Sequence, residues 1–305
     1  MRRGNRVAVT GEVLKDTRFL RKYNIKVNEP LREHSPYGIG GNADFYAVAE
    51  TAEDLSGILD SATKNDLRAR VVGGLNSSIV SDHGIRGLTV RMAISGIEAV
   101  KNRATLGAGE PLGEAVARLA ESGYGGLESF VGVADTVGGA TAMNLGVGSE
   151  FFGKHVESVR LYSRGRLLEV SAEDLEFEPY RSRLLRTGEV VTHVVCRVVK
   201  RAEEDIRARM LKVQAERLKF RPGRGAIAMF RDHGREAAGE ILRQVETRGE
   251  REGEVALSTK DPNFMMIQPG ATATDARTLA LRMKHRVAVK CSITLQDRIM
   301  WLGEW

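Results

Sequence analysis

The amino-acid sequence predicts an α+β fold built from more than one part, and three observations carry that expectation. The chain has 305 residues, enough for about two domains. A helix with a capping signature sits between short apolar strands in residues 43–92. A glycine-dense middle returns to alternating strands, and a charge-rich helical stretch follows from residue 201.

Residues 1–20 are polar and basic and read as a loosely ordered arm. A strand-like start from Asn24 leads to Pro36-Tyr37-Gly38-Ile39-Gly40-Gly41, and Ala43 to Val48 reads as a strand. Thr51-Ala52-Glu53-Asp54 is a capping box that opens a helix running to Lys64. Arg68 to Val72 and Gly87 to Met92 are apolar strands, which completes a βαβ-type unit with glycines after its second strand. Thr105 to Gly109 is a strand entering a turn. Leu112 to Ser122 carries apolar residues at 112, 115, 116, 119 and 120, the period of an amphipathic helix. Strands follow at Val156–Tyr162, Arg166–Val170 and Val190–Lys200. In the last, Thr192, Val194, Cys196 and Val198 share one face, so Cys196 reads as core. The third part reads as helices at Glu203–Lys219, Gly239–Glu246 and Thr274–Val287, a strand near Pro262–Ile267, and a closing strand over Ile293–Leu302.

Composition removes several function classes. The apolar fraction is 42% with 33 Gly, ordinary for a globular chain, and Gly shows no period of three. No run of 18 apolar residues exists, so no membrane-spanning segment is expected. Val7 to Leu14 contains Thr10, Gly11 and Glu12 and does not read as a signal-peptide core. Two distant cysteines, Cys196 and Cys291, suit a reduced, cytoplasmic setting. The six His lack ligand spacing, so no metal site is expected. The net charge of +6 suits an acidic small ligand or weak nucleic-acid contact, and a solvated surface explains it equally well; of these, nucleic acid is not the expected partner.

Two glycine-rich stretches can carry chemistry. Gly73-Gly74-Leu75-Asn76-Ser77-Ser78 follows a strand, where free N–H groups and hydroxyls could cradle a pyrophosphate. Thr136-Val137-Gly138-Gly139-Ala140-Thr141-Ala142-Met143-Asn144 is the second. Neither has the spacing of a dinucleotide or P-loop motif, and a tight structural turn accounts for each equally well.

The order of short motifs resembles the UDP-N-acetylenolpyruvoylglucosamine reductase (MurB) family. Tyr37 to Asp44 resembles its TFGIGGPAD start, and Val72-Gly73-Gly74 through Gly87 its LGGGSNLLVSDEGFRG. Leu106 to Gly109, Gly126 to Glu128, and Thr136 to Asn144 are similar to its AGAG, GLE and TVGGAIAMN. Pro179-Tyr180-Arg181-Ser182-Arg183 is similar to YRxS, Ser258 to Phe264 to SEKHANF, and Gly270 to Ala273 to GGATA.

The resemblance implies a two-part FAD-binding (PCMH/MurB-type) fold plus a C-terminal α/β substrate domain. It places FAD-binding parts at 21–92 and 93–201, a substrate domain at 202–292, and a strand at 293–305 returning to the body. It implies FAD, reduction by NADPH, and a UDP-sugar substrate reduced at an enolpyruvyl group for peptidoglycan. Cofactor contacts then fall to Gly40, Gly41, Gly73, Gly74, Asn76, Ser77, Ser78, Thr136, Gly138, Gly139, Ala140 and Asn144. Tyr180, Arg181, Arg221, Arg231, Lys260 and Asn263 fall to the substrate, with Arg181 on its carboxylate.

Several positions depart from the family pattern. Ala228 stands at the proton-donating serine and Arg298 at the glutamate of the terminal stretch, and neither side chain can act as an acid at neutral pH. Ser292 and Asp297 are the nearest alternative acids in the C-terminal region. Leu75 replaces a glycine, and Asp135 places a carboxylate where the diphosphate is expected, which argues against FAD. Three readings stand together: a low-activity reductase of the family, a non-catalytic paralogue binding a nucleotide, a sugar nucleotide or a cell-wall-synthesis protein, and an FAD oxidoreductase on another substrate.

Overall fold

The structure, a computed structural model, describes residues 8–9, 12–13, 18–220, 222–223 and 225–305. Most of the expected arm at 1–20 lies outside the described residues, as does Arg221. The helices are α1 (Arg18–Lys22), α2 (Ala52–Lys64), α3 (Leu112–Glu121), α4 (Val137–Ala142), α5 (Leu184–Thr187), α6 (Glu203–Phe220), α7 (Ala238–Arg243) and α8 (Ala273–Cys291). Among the described residues no helix is long and apolar enough to cross a membrane.

The chain divides into two units, each assembled from separate segments. The first takes residues 1–29, 43–74 and 86–214, and the second residues 30–42, 75–85 and 215–305.

The two larger sheets described in the first unit have four and five strands. A four-stranded sheet has the order Lys26–Pro30, Asn42–Ala49, Ile85–Met92, Ala69–Val72, and its last two strands run parallel. Thr51 caps α2 as its spacing predicts, with Oγ1 accepting from the Asp54 N–H at 3.0 Å. Leu55, Ile58, Leu59 and Ala62 on α2 are buried. A five-stranded antiparallel sheet has the order Arg166–Ser171, Val156–Ser163, Val190–Arg197, Arg103–Gly107, Ile97–Val100. On α3 the five apolar positions read from the sequence are all buried. Cys196 is fully buried in the same core, as its strand alternation predicts.

The second unit has its own core, in which Ile227, Phe230, Ile241, Met265, Leu279 and Met283 are buried with Ile39 and Ile79. A four-stranded antiparallel sheet orders Ala226–Ala228, Phe264–Ile267, Val255–Leu257, Arg251–Glu252. α8 opens on a full capping box between Thr272 and Asp275.

The expected single strand over Ile293–Leu302 is corrected. The segment changes partner along its length. Arg231 N–H donates to the Gln296 carbonyl at 2.9 Å and Arg298 N–H to the Met229 carbonyl at 2.8 Å. Met300–Leu302 then pairs in parallel with Ser78–Val80. A strand that changes partners must break its ladder between them, so only its last three residues form a named strand.

Candidate functional site

In the first unit, Gly73 follows the strand Ala69–Val72, and a β-carbon there would overlap Thr136 Oγ1. The glycine is therefore required by close backbone approach to Thr136. Thr136 is the N-cap of α4, accepting from the Gly139 N–H at 3.3 Å. The backbone donors of this turn are spent internally. Val137 N–H donates to the Glu110 carbonyl, Gly138 N–H to the Ala108 carbonyl, and Ala140 N–H to the Thr136 carbonyl, each at 2.8 Å. Gly138 packs on Ala108, whose Cβ would lie 2.9 Å from an added side chain. Asp135 accepts from the Leu112 N–H through its carbonyl at 2.9 Å.

Asn144 follows Met143, the C-cap of α4, holds φ +41 and is 4% exposed. Its Nδ2 donates to the Glu178 carbonyl at 2.7 Å and its Oδ1 accepts from the Gly153 N–H at 2.8 Å. Glu178 and Arg181 exchange backbone hydrogen bonds at 3.0 Å, closing a turn around Pro179 and Tyr180. Tyr180 holds φ +56 and is buried, with its ring edge-on to Phe151 at 5.4 Å. Arg181 is exposed, and its guanidinium lies 3.6 Å from the Glu178 carboxylate. Ser182 is fully buried and donates to the Ala142 carbonyl at 2.6 Å.

In the second unit, Gly40 and Gly41 pack directly on residues 80–84. An added Cβ at Gly40 would lie 2.9 Å from the Val80 side chain, and Gly41 N–H donates to the Ser81 carbonyl at 2.8 Å. Leu75 is buried in the left-handed region at φ +57, so its side chain is turned into the protein at some backbone cost. Tyr37 Oη donates to the Asn76 carbonyl, and the Ser77 carbonyl accepts from the Met300 N–H at 2.9 Å. The hydroxyls of Ser77 and Ser78 make no hydrogen bond to any described residue and are half-buried.

Asp82 was not singled out from the sequence. Its carboxylate accepts from Ala273 N–H at 3.0 Å, Thr274 N–H at 2.9 Å and Thr274 Oγ1 at 2.7 Å, all in the first turn of α8. Burial works to raise its pKa, but the Thr274 hydroxyl, the two N–H groups and His83 outweigh it and hold the carboxyl below its ordinary value. The signal available in the sequence was Thr272-x-x-Asp275, a capping box that marks where donors must be met.

Ala228 is half-buried at the end of its strand, opposite Phe264. Asn263 is buried, with its amide clamped on Phe230: Oδ1 accepts from the Phe230 N–H and Nδ2 donates to the Phe230 carbonyl, both at 3.0 Å. Arg231 Nε donates to the Asp297 carbonyl at 3.0 Å. The Asp297 carboxylate pairs with Lys284 Nζ at 3.0 Å, and Ser292 is an exposed residue ending α8. Lys260 is exposed. Among the described residues no group of three or more His, Cys, Asp or Glu could hold a metal.

The site residues thus fall into two sets. Gly73, Gly74, Thr136, Gly138, Gly139, Ala140, Asn144, Tyr180 and Arg181 belong to the first unit. Gly40, Gly41, Asn76, Ser77, Ser78, Ala228, Arg231, Lys260, Asn263 and Arg298 belong to the second.

Known proteins match both units. A family profile described as "FAD binding domain" matches residues 43–169. Another, described as "UDP-N-acetylenolpyruvoylglucosamine reductase, C-terminal domain", matches residues 221–302. The UDP-N-acetylenolpyruvoylglucosamine reductase of Pelobacter propionicus is 31% identical over 285 residues, covering 91% of this chain and 95% of that protein. That of Moorella thermoacetica is 30% identical, covering 93% and 95%. The crystal structure of the Thermus caldophilus enzyme superposes with a TM-score of 0.79 at 26% identity, covering 92% of this chain and all of that one. With both profiles matched in order and relatives similar along nearly their full length, the chain belongs to the UDP-N-acetylenolpyruvoylglucosamine reductase family and has its two-part FAD-binding fold and C-terminal domain.

Proposed function

We propose that the protein binds FAD and a UDP-sugar bearing a carboxylate, and reduces it slowly or not at all. The matched FAD binding domain supports the cofactor. The hydroxyls of Ser77 and Ser78, left without partners among the described residues, suit its diphosphate oxygens. The N–H groups of Val137, Gly138 and Ala140 are already bonded, so these three are not free donors for the cofactor. Bound flavin supplies the hydride of the family's chemistry, drawn from NADPH.

Arg181 takes the substrate carboxylate in this reading. Its planar fork matches a carboxylate in two parallel hydrogen bonds, and its present partner Glu178 is exposed and weakly held. Residues 202–292 take the remainder of the sugar nucleotide, with Arg231 and Lys260 as cations for its phosphates.

The observation that carries slow chemistry is Ala228. It stands at the position of the family's proton donor, and a methyl group has no proton to give. Arg298 is equally unable to act as an acid at neutral pH. The Asp297 side chain is paired with Lys284 Nζ at 3.0 Å, and Ser292 sits exposed at the end of α8. General-acid help is worth about 10²–10⁴-fold, which sets the expected deficit.

The test uses the purified protein loaded with FAD, checked by absorbance near 450 nm. NADPH oxidation in the presence of UDP-N-acetylglucosamine enolpyruvate is expected to be absent or very slow in the wild type. The Ala228→Ser, Arg298→Glu double variant is expected to gain rate. A wild-type turnover of about 1–10³ s⁻¹ overturns the proposal.

A further inference from the structure

We propose that Asn144 is a positioning residue for Arg181, fixing the turn from which the guanidinium reaches its carboxylate. This rests on the assignment of Arg181 to the substrate carboxylate. Asn144 falls within a stretch whose resemblance implies cofactor contact. Its amide nevertheless has both ends occupied by backbone, on Glu178 and Gly153.

The Glu178–Arg181 turn is strained at its tip. Tyr180 occupies φ +56, where a side-chain-bearing residue is disfavoured. Such a conformation persists only where its surroundings hold it. Two tethers do so, both from the C-terminal end of α4. Asn144 Nδ2 holds the Glu178 carbonyl at 2.7 Å, and the Ala142 carbonyl holds Ser182 Oγ at 2.6 Å. The two tethers flank Arg181, one on either side in sequence. The Tyr180 ring closes the base against Phe151.

Asn suits the position for two reasons. It tolerates the left-handed conformation at φ +41. It also donates to a carbonyl while accepting from an N–H, which neither Asp nor Ser can reproduce at both ends here. Gly153 completes the fit. An added β-carbon there would come within 2.8 Å of Asn144 Oδ1 and 2.6 Å of the Phe177 ring. The result is a fixed base beneath an exposed guanidinium. Orientation set before binding leaves less to be ordered when the carboxylate arrives.

Asn144→Asp keeps the backbone conformation and the Gly153 bond but replaces the donor to Glu178 with an acceptor. Calorimetry on the FAD-loaded protein compares two probes, UDP-N-acetylglucosamine enolpyruvate and UDP-N-acetylglucosamine, which lacks the carboxylate. The preference for the first is expected to fall about tenfold or more in Asn144→Asp, with affinity for the second unchanged within about twofold. Arg181→Ala is expected to lose the same preference, and the double variant no more than either alone. Equal weakening of both probes would make Asn144 merely structural and overturn the proposal. Hydrogen exchange supplies an arm that needs no substrate. Amides of Glu178 and of residues 180–183 are expected to exchange faster in Asn144→Asp and in Ser182→Ala, and unchanged protection overturns the proposal. If the wild type shows no carboxylate preference, the assignment of Arg181 fails instead, and the exchange arm alone decides whether Asn144 holds the turn.

Discussion

Asp82 offers the sharpest test of how the second unit is held. Its carboxylate ties the 75–85 segment to α8 through three hydrogen bonds of 2.7 to 3.0 Å. α8 already has its own capping box, so Asp82→Ala removes the tie without removing the helix start. A side-chain acceptor at a helix N-terminus is worth about 0.5–2 kcal/mol, and this one accepts three hydrogen bonds, so about 1–2 kcal/mol is expected. At about 2–4 °C per kcal/mol this lowers the melting temperature by about 2–8 °C, with Asp82→Asn intermediate because it stays neutral. Both tryptophans, Trp301 and Trp305, belong to the second unit, so their fluorescence reports its melting. The sign of the pH dependence follows from the lowered pKa. The folded carboxyl titrates below the ordinary value of 3.8, so its stabilisation is complete above about pH 4 and is lost as pH falls through the folded pKa. The gap between wild type and Asp82→Asn is therefore expected at pH 7 and narrows below pH ~4. Equal melts at pH 7, or a gap undiminished at pH ~3, would refute the reasoning.

Other expectations follow from the same geometry. Gly73→Ala drives a methyl group into Thr136 and is expected to destabilise the first unit by about 1–3 kcal/mol in urea melts, with Thr136→Ala recovering part of the loss. Cys196 is fully buried, and burial pushes its thiol pKa up to about 12, whereas Cys291 is half-exposed. A disulfide reagent at pH 8 is expected to modify one thiol in the native protein and both in denaturant, and rapid modification of both without denaturant would contradict the buried placement.

Local patterns carried much of the fold in the sequence. Thr51 and Asp54 fix the start of α2 within four residues, and the apolar period of α3 names its buried face directly. Both signals are satisfied by neighbours along the chain. The strand Ser78–Val80 and the hairpin over Arg251–Leu257 were not legible, because three-residue or shorter strands carry too little alternation to register. The break in the Ile293–Leu302 strand depends on which backbone each end meets, and nothing local encodes that. The candidate site divides in the same way. Glycines at 73 and 138 were legible because close approach excludes a β-carbon. That the donors of Val137 and Gly138 are already bonded was not, since their acceptors, Glu110 and Ala108, lie in another segment. Asn144 and Asn263 carry the same lesson. Each was read as a ligand contact, and each has its amide spent on backbone.

The interleaving of the two units has a consequence for biosynthesis. Every segment of the first unit has been synthesised once residue 214 is made. The second unit must wait. Its segments at 30–42 and 75–85 emerge early, yet the strand Ser78–Val80 pairs with Met300–Leu302. At about 5–20 residues per second, Ile79 stays without that partner for roughly 10–40 s, an interval in which its apolar surface and open strand edge are exposed to chaperones. Nascent chains stalled short of residue 300 should hold a folded first unit and a protease-sensitive 75–85 segment, so assembly of this protein is completed from its C-terminal end.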